Sequence, residues 1–252
     1  MKTKTLAAGL ALAFSIAGAD TRTATVQGGR PVAKAIEFLE KFYGVPITYE
    51  DPPYVNSMEI ADVTDKVRGG QSVGPRILVP RGGSLSFAYE NVEPSQGSDA
   101  ARLAVSTALS GFLASYQTSA GARFETVSGS IPLHVVPARF TNQLGQVQSL
   151  QPLLDIRVSL AGEPRSANKL VSDLCEALSR ASGQTVVPGV APYNLLASRQ
   201  NSLSVSDVTA RSVLDQLFAE IQAPLSWQLF YDPTLNWYVL NIHLVQPPAK
   251  EQ

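Results

Sequence analysis

The feature that most constrains this chain is a switch of hydrophobic period that happens twice, in the same order. In the first half, Pro31 opens a segment whose residues Ala35, Ile36, Leu39, Phe42 and Tyr43 share one helical face. Gly44 follows in the position of a C-cap. Val45, Ile47 and Tyr49 then alternate with polar neighbours as a strand, which Asp51-Pro52-Pro53 breaks. After an irregular stretch, Leu85, Phe87 and Tyr89 alternate again. Asp99 then caps a helix carrying Leu103, Val105, Leu109, Phe112 and Tyr116, and two strands follow from Phe124 and Ile131.

The second half repeats that order. Leu153 to Leu160 reads as a strand, and Leu170, Val171, Leu174 and Leu178 lie on the face of a helix that Gly183 caps. Strands follow at Thr185–Val187 and Leu203–Val205, and Thr209 caps a helix with Val213, Leu214, Leu217, Phe218 and Ile221. The clearest hairpin closes the chain. Leu225, Trp227, Leu229 and Tyr231 alternate on one arm, and Tyr238, Leu240, Ile242 and Leu244 on the other. A chain of this kind is α+β. We expect two tandem small helix-on-sheet units of similar element order, over residues 31–152 and 153–246. The first carries a long insertion at 54–82. Residues 20–30 read as a flexible N-terminus and 247–252 as a disordered tail. Each unit is too small to bury much core alone, so packing together or joining sheets edge to edge would stabilise both.

The N-terminus adds a location. Lys2 and Lys4 precede an apolar run from Leu6 to Ala17, and Ala17-Gly18-Ala19 makes a small-x-small cleavage site before Asp20. This is the pattern of a secretory leader over residues 1–19. The run is about a dozen residues, where a spanning helix needs roughly 20. The expectation is a mature protein of the periplasm or the exterior, with no membrane span. Without the leader, 18 basic residues face 21 acidic ones, which gives no electrostatic footprint for nucleic acid. The single cysteine, Cys175, sits on the apolar helix face with no CxxC partner, so it reads as a buried small hydrophobe.

The run Leu203-Ser204-Val205-Ser206-Asp207-Val208-Thr209-Ala210, then Val213 to Phe218, then Pro224-Leu225-Ser226-Trp227-Gln228, resembles the secretin and TonB short N-terminal domain. The likeness covers about residues 165 to 245. The first half matches it in element order, interrupted by the insertion. What the resemblance implies is a non-enzymatic interaction module of the bacterial cell envelope, working through a protein partner.

Chemical motifs are sparse. The two histidines, His134 and His243, fall in predicted strands with no metal-ligand spacing around them, and read as surface residues. No metal, cofactor or catalytic residue is expected. Gly70-Gln71-Ser72-Val73-Gly74 matches the G-x-S-x-G pattern, but without the strand before it and the helix after it that a nucleophile elbow requires. Glu37 and Glu40 read as solvated, and Glu50-Asp51 as a strand end. The alternative function is therefore an exported hydrolase using Ser72 or an acidic pair. The candidate binding patch is Trp237, Asn241 and His243, on the face of the last strand opposite Leu240 and Ile242.

Overall fold

The computed structural model describes residues 20–69, 74–91, 98–117, 123–127 and 133–246. In the first half, β1 (Thr21–Gly28), α1 (Pro31–Tyr43) and β2 (Ile47–Glu50) are followed by the insertion, with β3 (Ile60–Asp62), α2 (Thr64–Arg68) and β4 (Leu78–Pro80). Then come β5 (Gly83–Glu90), α3 (Asp99–Gln117), β6 (Arg123–Val127), β7 (Leu133–Thr141) and β8 (Val147–Ser149). The second half begins with β9 (Arg157–Leu160), β10 (Arg165–Ser166), α4 (Ala167–Ser182), β11 (Val186–Pro188) and α5 (Tyr193–Ser198). It ends with β12 (Gln200–Asn201), β13 (Val205–Thr209), α6 (Ala210–Ile221), β14 (Leu225–Asp232) and β15 (Trp237–Leu244). The class is α+β, as the alternating periods require.

Local chemistry sets several of the boundaries. Gly44 and Gly183 end α1 and α4 in the left-handed conformation, at φ 65° and 70°, where a Cβ would be strained. Thr209 Oγ1 accepts the Ser212 N–H and caps α6. The cap of α3 lies one residue earlier than the sequence implied, since Ser98 Oγ accepts the Ala101 N–H. Two other expectations are corrected. Residues 20–30 hold a strand: β1 pairs with β5 along its whole length, from Thr21↔Glu90 to Gly28↔Gly83. Thr21, Thr23, Thr25 and Gln27 face outward, and exposed Arg22 shares the side of Ala24 and Val26, which hid the alternation. Residues 153–160 are not strand throughout. Leu153–Asp155 is a single 3-10 turn, and the strand begins at Arg157.

Three of the strand pairings have a counterpart in the other half. In the first, β1 lies antiparallel to β5, β2 parallel to β7, and β6 antiparallel to β7. In the second, β9 lies antiparallel to β13, β11 parallel to β15, and β14 antiparallel to β15. The halves are joined where β14 runs parallel to β2, with Gln228 opposite Tyr49 and Leu229 opposite Glu50. This seam makes one seven-stranded sheet in the order β11-β15-β14-β2-β7-β6, with β8 beside β7.

The strand directions fix how the halves are related. If β2 points up, β7 and β14 point up, while β6, β15 and β11 point down. The lateral order β2-β7-β6 therefore recurs as β11-β15-β14 with every direction reversed. A half-turn about an axis across the strands does this, and it also exchanges the two faces of the sheet. The cores obey that geometry. Ile47, Tyr49, Phe124 and Val135 pack with α1 and α3 on one face. Trp227, Leu229, Tyr231, Leu240 and Ile242 pack with α4 and α6 on the other. Cys175 lies in this second core, and burial pushes its thiol up to about 12, which leaves it unreactive.

Candidate functional site

The seam collects the buried charges. Glu50 and Asp51 are adjacent, so their side chains leave the strand on opposite sides. Asp51 Oδ2 accepts Arg30 Nε at 2.6 Å and the Tyr231 N–H at 2.9 Å. Its Oδ1 accepts the Tyr49 hydroxyl at 2.8 Å. Arg30 also donates to the Tyr231 carbonyl at 2.6 Å and lies 4.6 Å over the Phe230 ring. On the other side, Glu50 Oε1 stands 2.5 Å from Arg211 Nη2, and Arg211 Nε donates to Asp155 at 3.0 Å. Burial raises the carboxyl pKa of both Glu50 and Asp51, and the arginine beside each draws it back. Both acids are at most 2% exposed. An acidic pair facing a substrate is therefore not what this dipeptide forms. It fastens the first half to the second.

Two other sequence expectations are corrected at the seam. Glu40 is buried, not solvated, because α1 turns Glu37 and Glu40 toward Gln228 and His243 of the second half's strands. Its Oε1 accepts the Ile47 N–H at 2.9 Å, and its Oε2 meets His243 Nε2 at 2.8 Å. His134 is buried as well. Its Nδ1 lies 2.7 Å from Thr48 Oγ1 and its Nε2 3.5 Å from Asp215 Oδ2. A hydroxyl, an imidazole and a carboxylate in series have the form of a nucleophilic relay. Here Thr48 is fully buried and the imidazole lies 5.2 Å from the Trp227 ring. No substrate reaches that hydroxyl, so the chain Thr48–His134–Asp215 is an internal polar tie.

His243 provides a pH-dependent contact across the seam. Burial alone would lower its pKa, but the hydrogen bond to Glu40 and the charges of Glu40 and Glu37 hold it above the usual imidazole value. A raised folded pKa means that protonation favours the folded chain. The stabilisation is complete below the unfolded histidine's pKa and is lost as pH rises through the raised folded value. We expect thermal stability to fall across that window, and a His243→Gln variant to show a flatter profile. Melting curves as a function of pH check this. A variant that keeps the full slope assigns it to another group.

The candidate patch on β15 takes this form in the fold. Trp237, Asn241 and His243 share one face of the strand and all three are half-buried. Asn241 Oδ1 accepts the Val190 N–H at 2.9 Å, and His243 holds Glu40. Asn241 also lines a hollow of about 310 Å³, with Arg30, Phe230, Val239 and the strand β4 of the insertion around it. Ser72 lies outside the described residues. Among those residues, no group of three or more His, Cys, Asp or Glu side chains is placed to hold a metal ion. No helix among them is long and apolar enough to cross a membrane.

The site that sequence reasoning missed lies between β5 and α3. One edge of β5 is taken by β1. The Asn91 N–H donates to the Asp20 carbonyl at 2.7 Å, which sets the alternation of bonded pairs along the ribbon. The backbone groups of Ser84, Ser86, Ala88 and Glu90 therefore point away from β1. The Tyr43 hydroxyl, donating to the Glu90 carbonyl at 2.6 Å, marks that outward side. Between β5 and α3 runs a groove of about 400 Å³, bounded by Ser86 to Glu90 of β5, by Thr21 of β1 at one end, and by α3 at Ala104, Thr107, Ala108 and Gly111. From Ser86 to Glu90 the edge is about 13 Å long at roughly 3.3 Å per residue, with its last carbonyl already holding Tyr43 and the backbone groups of Ser86 and Ala88 left for a short added strand. A signal existed in the sequence. Gly111 sits mid-helix, at a helix-propensity cost of about 1 kcal/mol. A Cβ built there meets nothing within 4 Å, so no packing among the described residues requires glycine.

No protein-family model, no curated protein and no solved structure matches the chain.

Proposed function

We propose that the chain is an exported, non-enzymatic interaction protein of the bacterial cell envelope, and that it takes an extended segment of a partner protein along β5. The observation that carries this reading is the outward edge of β5 facing an open groove. An unpaired strand edge is a template for another strand: main-chain hydrogen bonds give affinity, and alternate side chains seated in the groove give selectivity. The cut-back wall of α3 leaves room for those side chains. The leader pattern at residues 1–19 and the resemblance of the second half support the envelope location. In this reading the seam is a scaffold. It rigidifies the sheet, and the groove lies on the first half, away from it.

The test uses Gly111 and Ala88. A photo-crosslinking amino acid at exposed Ala88 should give covalent adducts with another envelope protein in living cells, and Gly111→Leu should abolish them by filling the groove. Adducts that persist in Gly111→Leu, or none at Ala88 in a folded protein, would reject the proposal. A companion expectation concerns stability. Gly111→Ala should raise unfolding free energy by about 0.5–1 kcal/mol, read by urea denaturation. A loss would mean that α3 needs the glycine for its own packing.

A further inference from the structure

The seam inside the chain is an interface between two halves with the same pairings, and the sheet ends in the two surfaces that would repeat it. The half-turn across the strands carries β2 onto β11 and β6 onto β14. A second copy of the chain set beyond β6 by that operation would lay its β11 against β6 in the same parallel sense as β2 lies against β14. Interfaces of this head-to-tail kind do not close on themselves by symmetry, and they propagate into rings or filaments. We infer that Pro188 and Asn241 close the β11 edge, and so hold the assembly at one chain.

The two edge strands match residue by residue. Counting from the helix-ending glycines Gly44 and Gly183, Ile47 corresponds to Val186, Tyr49 to Pro188, and Asp51 to Val190. Ile47, Tyr49 and Asp51 turn their backbone away from β7, and Val186 and Pro188 turn theirs away from β15, whereas Val190 bends back so that its carbonyl accepts the Ile242 N–H at 2.8 Å. Position one is occupied in both halves by the preceding helix. The Ile47 N–H donates to Glu40 Oε1, and the Val186 N–H to Ser179 Oγ at 2.9 Å. Glu40 and Ser179 each stand four residues before the glycine, so this plug is shared and did not prevent the seam.

The other two positions differ. In the seam, Tyr49 lies opposite Gln228, and the Asp51 N–H donates to the Leu229 carbonyl at 2.8 Å. In β11, the residue in Tyr49's place is Pro188, which has no N–H to give. The residue in Asp51's place, Val190, has its N–H turned inward to Asn241 Oδ1 at 2.9 Å. The turn is held by close contact: a Cβ on Gly189 would lie 2.2 Å from Asn241 Oδ1. Both donors that β2 offers to β14 are thus missing from β11. Proline on an edge strand is a known guard against edge-to-edge pairing, and Asn241 supplies the second half of the guard. On the opposite edge, β6 pairs only with β7 among the described strands. The hairpin registers align its exposed Thr126 with Leu229, the residue that receives Asp51 in the seam.

Sedimentation of the mature protein tests this without any ligand. The wild type should stay monomeric as concentration is raised. The double variant Pro188→Val with Asn241→Ala should associate, at least doubling its apparent mass over the same range. Adding Thr126→Pro, which removes the complementary donor on β6, should return it to monomer. Circular dichroism melts of each variant establish that a folded protein is being weighed. If the folded double variant remains monomeric, or if Thr126→Pro leaves its association intact, the inference is wrong. It is equally wrong if the wild type associates and Thr126→Pro disperses it. None of these outcomes depends on the groove beside β5, which is a different edge.

Discussion

Replacing Arg211 by methionine should lower the unfolding free energy by about 3–5 kcal/mol, the usual range when one member of a buried ion pair is removed. The reason is what it leaves behind. Glu50 is 1% exposed, and without Arg211 its remaining hydrogen bond among the described residues is from the Leu154 N–H at 3.3 Å. The methionine fills much of the same volume, so the loss is electrostatic and not a cavity. Two controls separate that cause from generic damage. Glu50→Gln in the methionine background should recover most of the loss, because a neutral amide does not need a countercharge. The loss should also depend on pH. Burial already holds the Glu50 carboxyl above its ordinary pKa, and deleting Arg211 raises it further. A carboxyl with a raised folded pKa favours the folded state in acid, and this is lost as pH rises through the folded value. The variant should therefore come closest to wild type in mild acid and fall furthest behind near neutrality. Urea denaturation of the four-member cycle at both pH values measures this. A coupling energy below about 1 kcal/mol would place Glu50–Arg211 with surface pairs, and the seam would need another explanation.

What the sequence disclosed and what it hid divide along a physical line. Period reports which side of an element is buried, so the helix with Leu170, Leu174 and Leu178 and the hairpin with Trp227 and Leu240 were legible. Glycine caps report chain reversal, so Gly44 and Gly183 were placed correctly. Period does not report which strand lies beside which. Nothing local in Ile47–Glu50 says that β14, almost two hundred residues away, is its neighbour, and the buried charges follow from that pairing. Glu40 read as solvated, His134 as a surface residue and Glu50 as a strand end, because each has a polar identity in an otherwise apolar pattern. The partners that permit their burial, His243, Arg211 and Asp215, come from the other half. The ribbon of β1 was hidden for the opposite reason. Its threonines face solvent and only Ala24 and Val26 reach the core, so the alternation has little contrast. The groove followed suit, since an edge exists only once β1 has been placed on the other side of β5.

The other large effect is expected at Trp227. It is the largest fully buried side chain in the protein, and it sits where the second half's core meets the seam. Its ring lies 5.2 Å from His134 on β7 and 5.5 Å from Phe218 on α6. Trp227→Ala should cost about 3–5 kcal/mol, from lost transfer energy plus the cavity left between a sheet and a helix that cannot both relax. For a chain of this size, that corresponds to a fall in Tm of roughly 10 °C. Trp227→Phe should behave differently. The indole Nε1 is buried and has no hydrogen-bond partner among the described residues. Its burial already costs about 1–3 kcal/mol of desolvation, which phenylalanine does not incur. That saving opposes the smaller ring's packing loss, so the variant should lie within about 1 kcal/mol of wild type. The pair of variants thus weighs shape against polarity at one position. Similar losses for Phe and Ala would mean that the indole N–H does have a partner, and that His134 and Trp227 belong to one polar network, not to a polar tie packed on an apolar core.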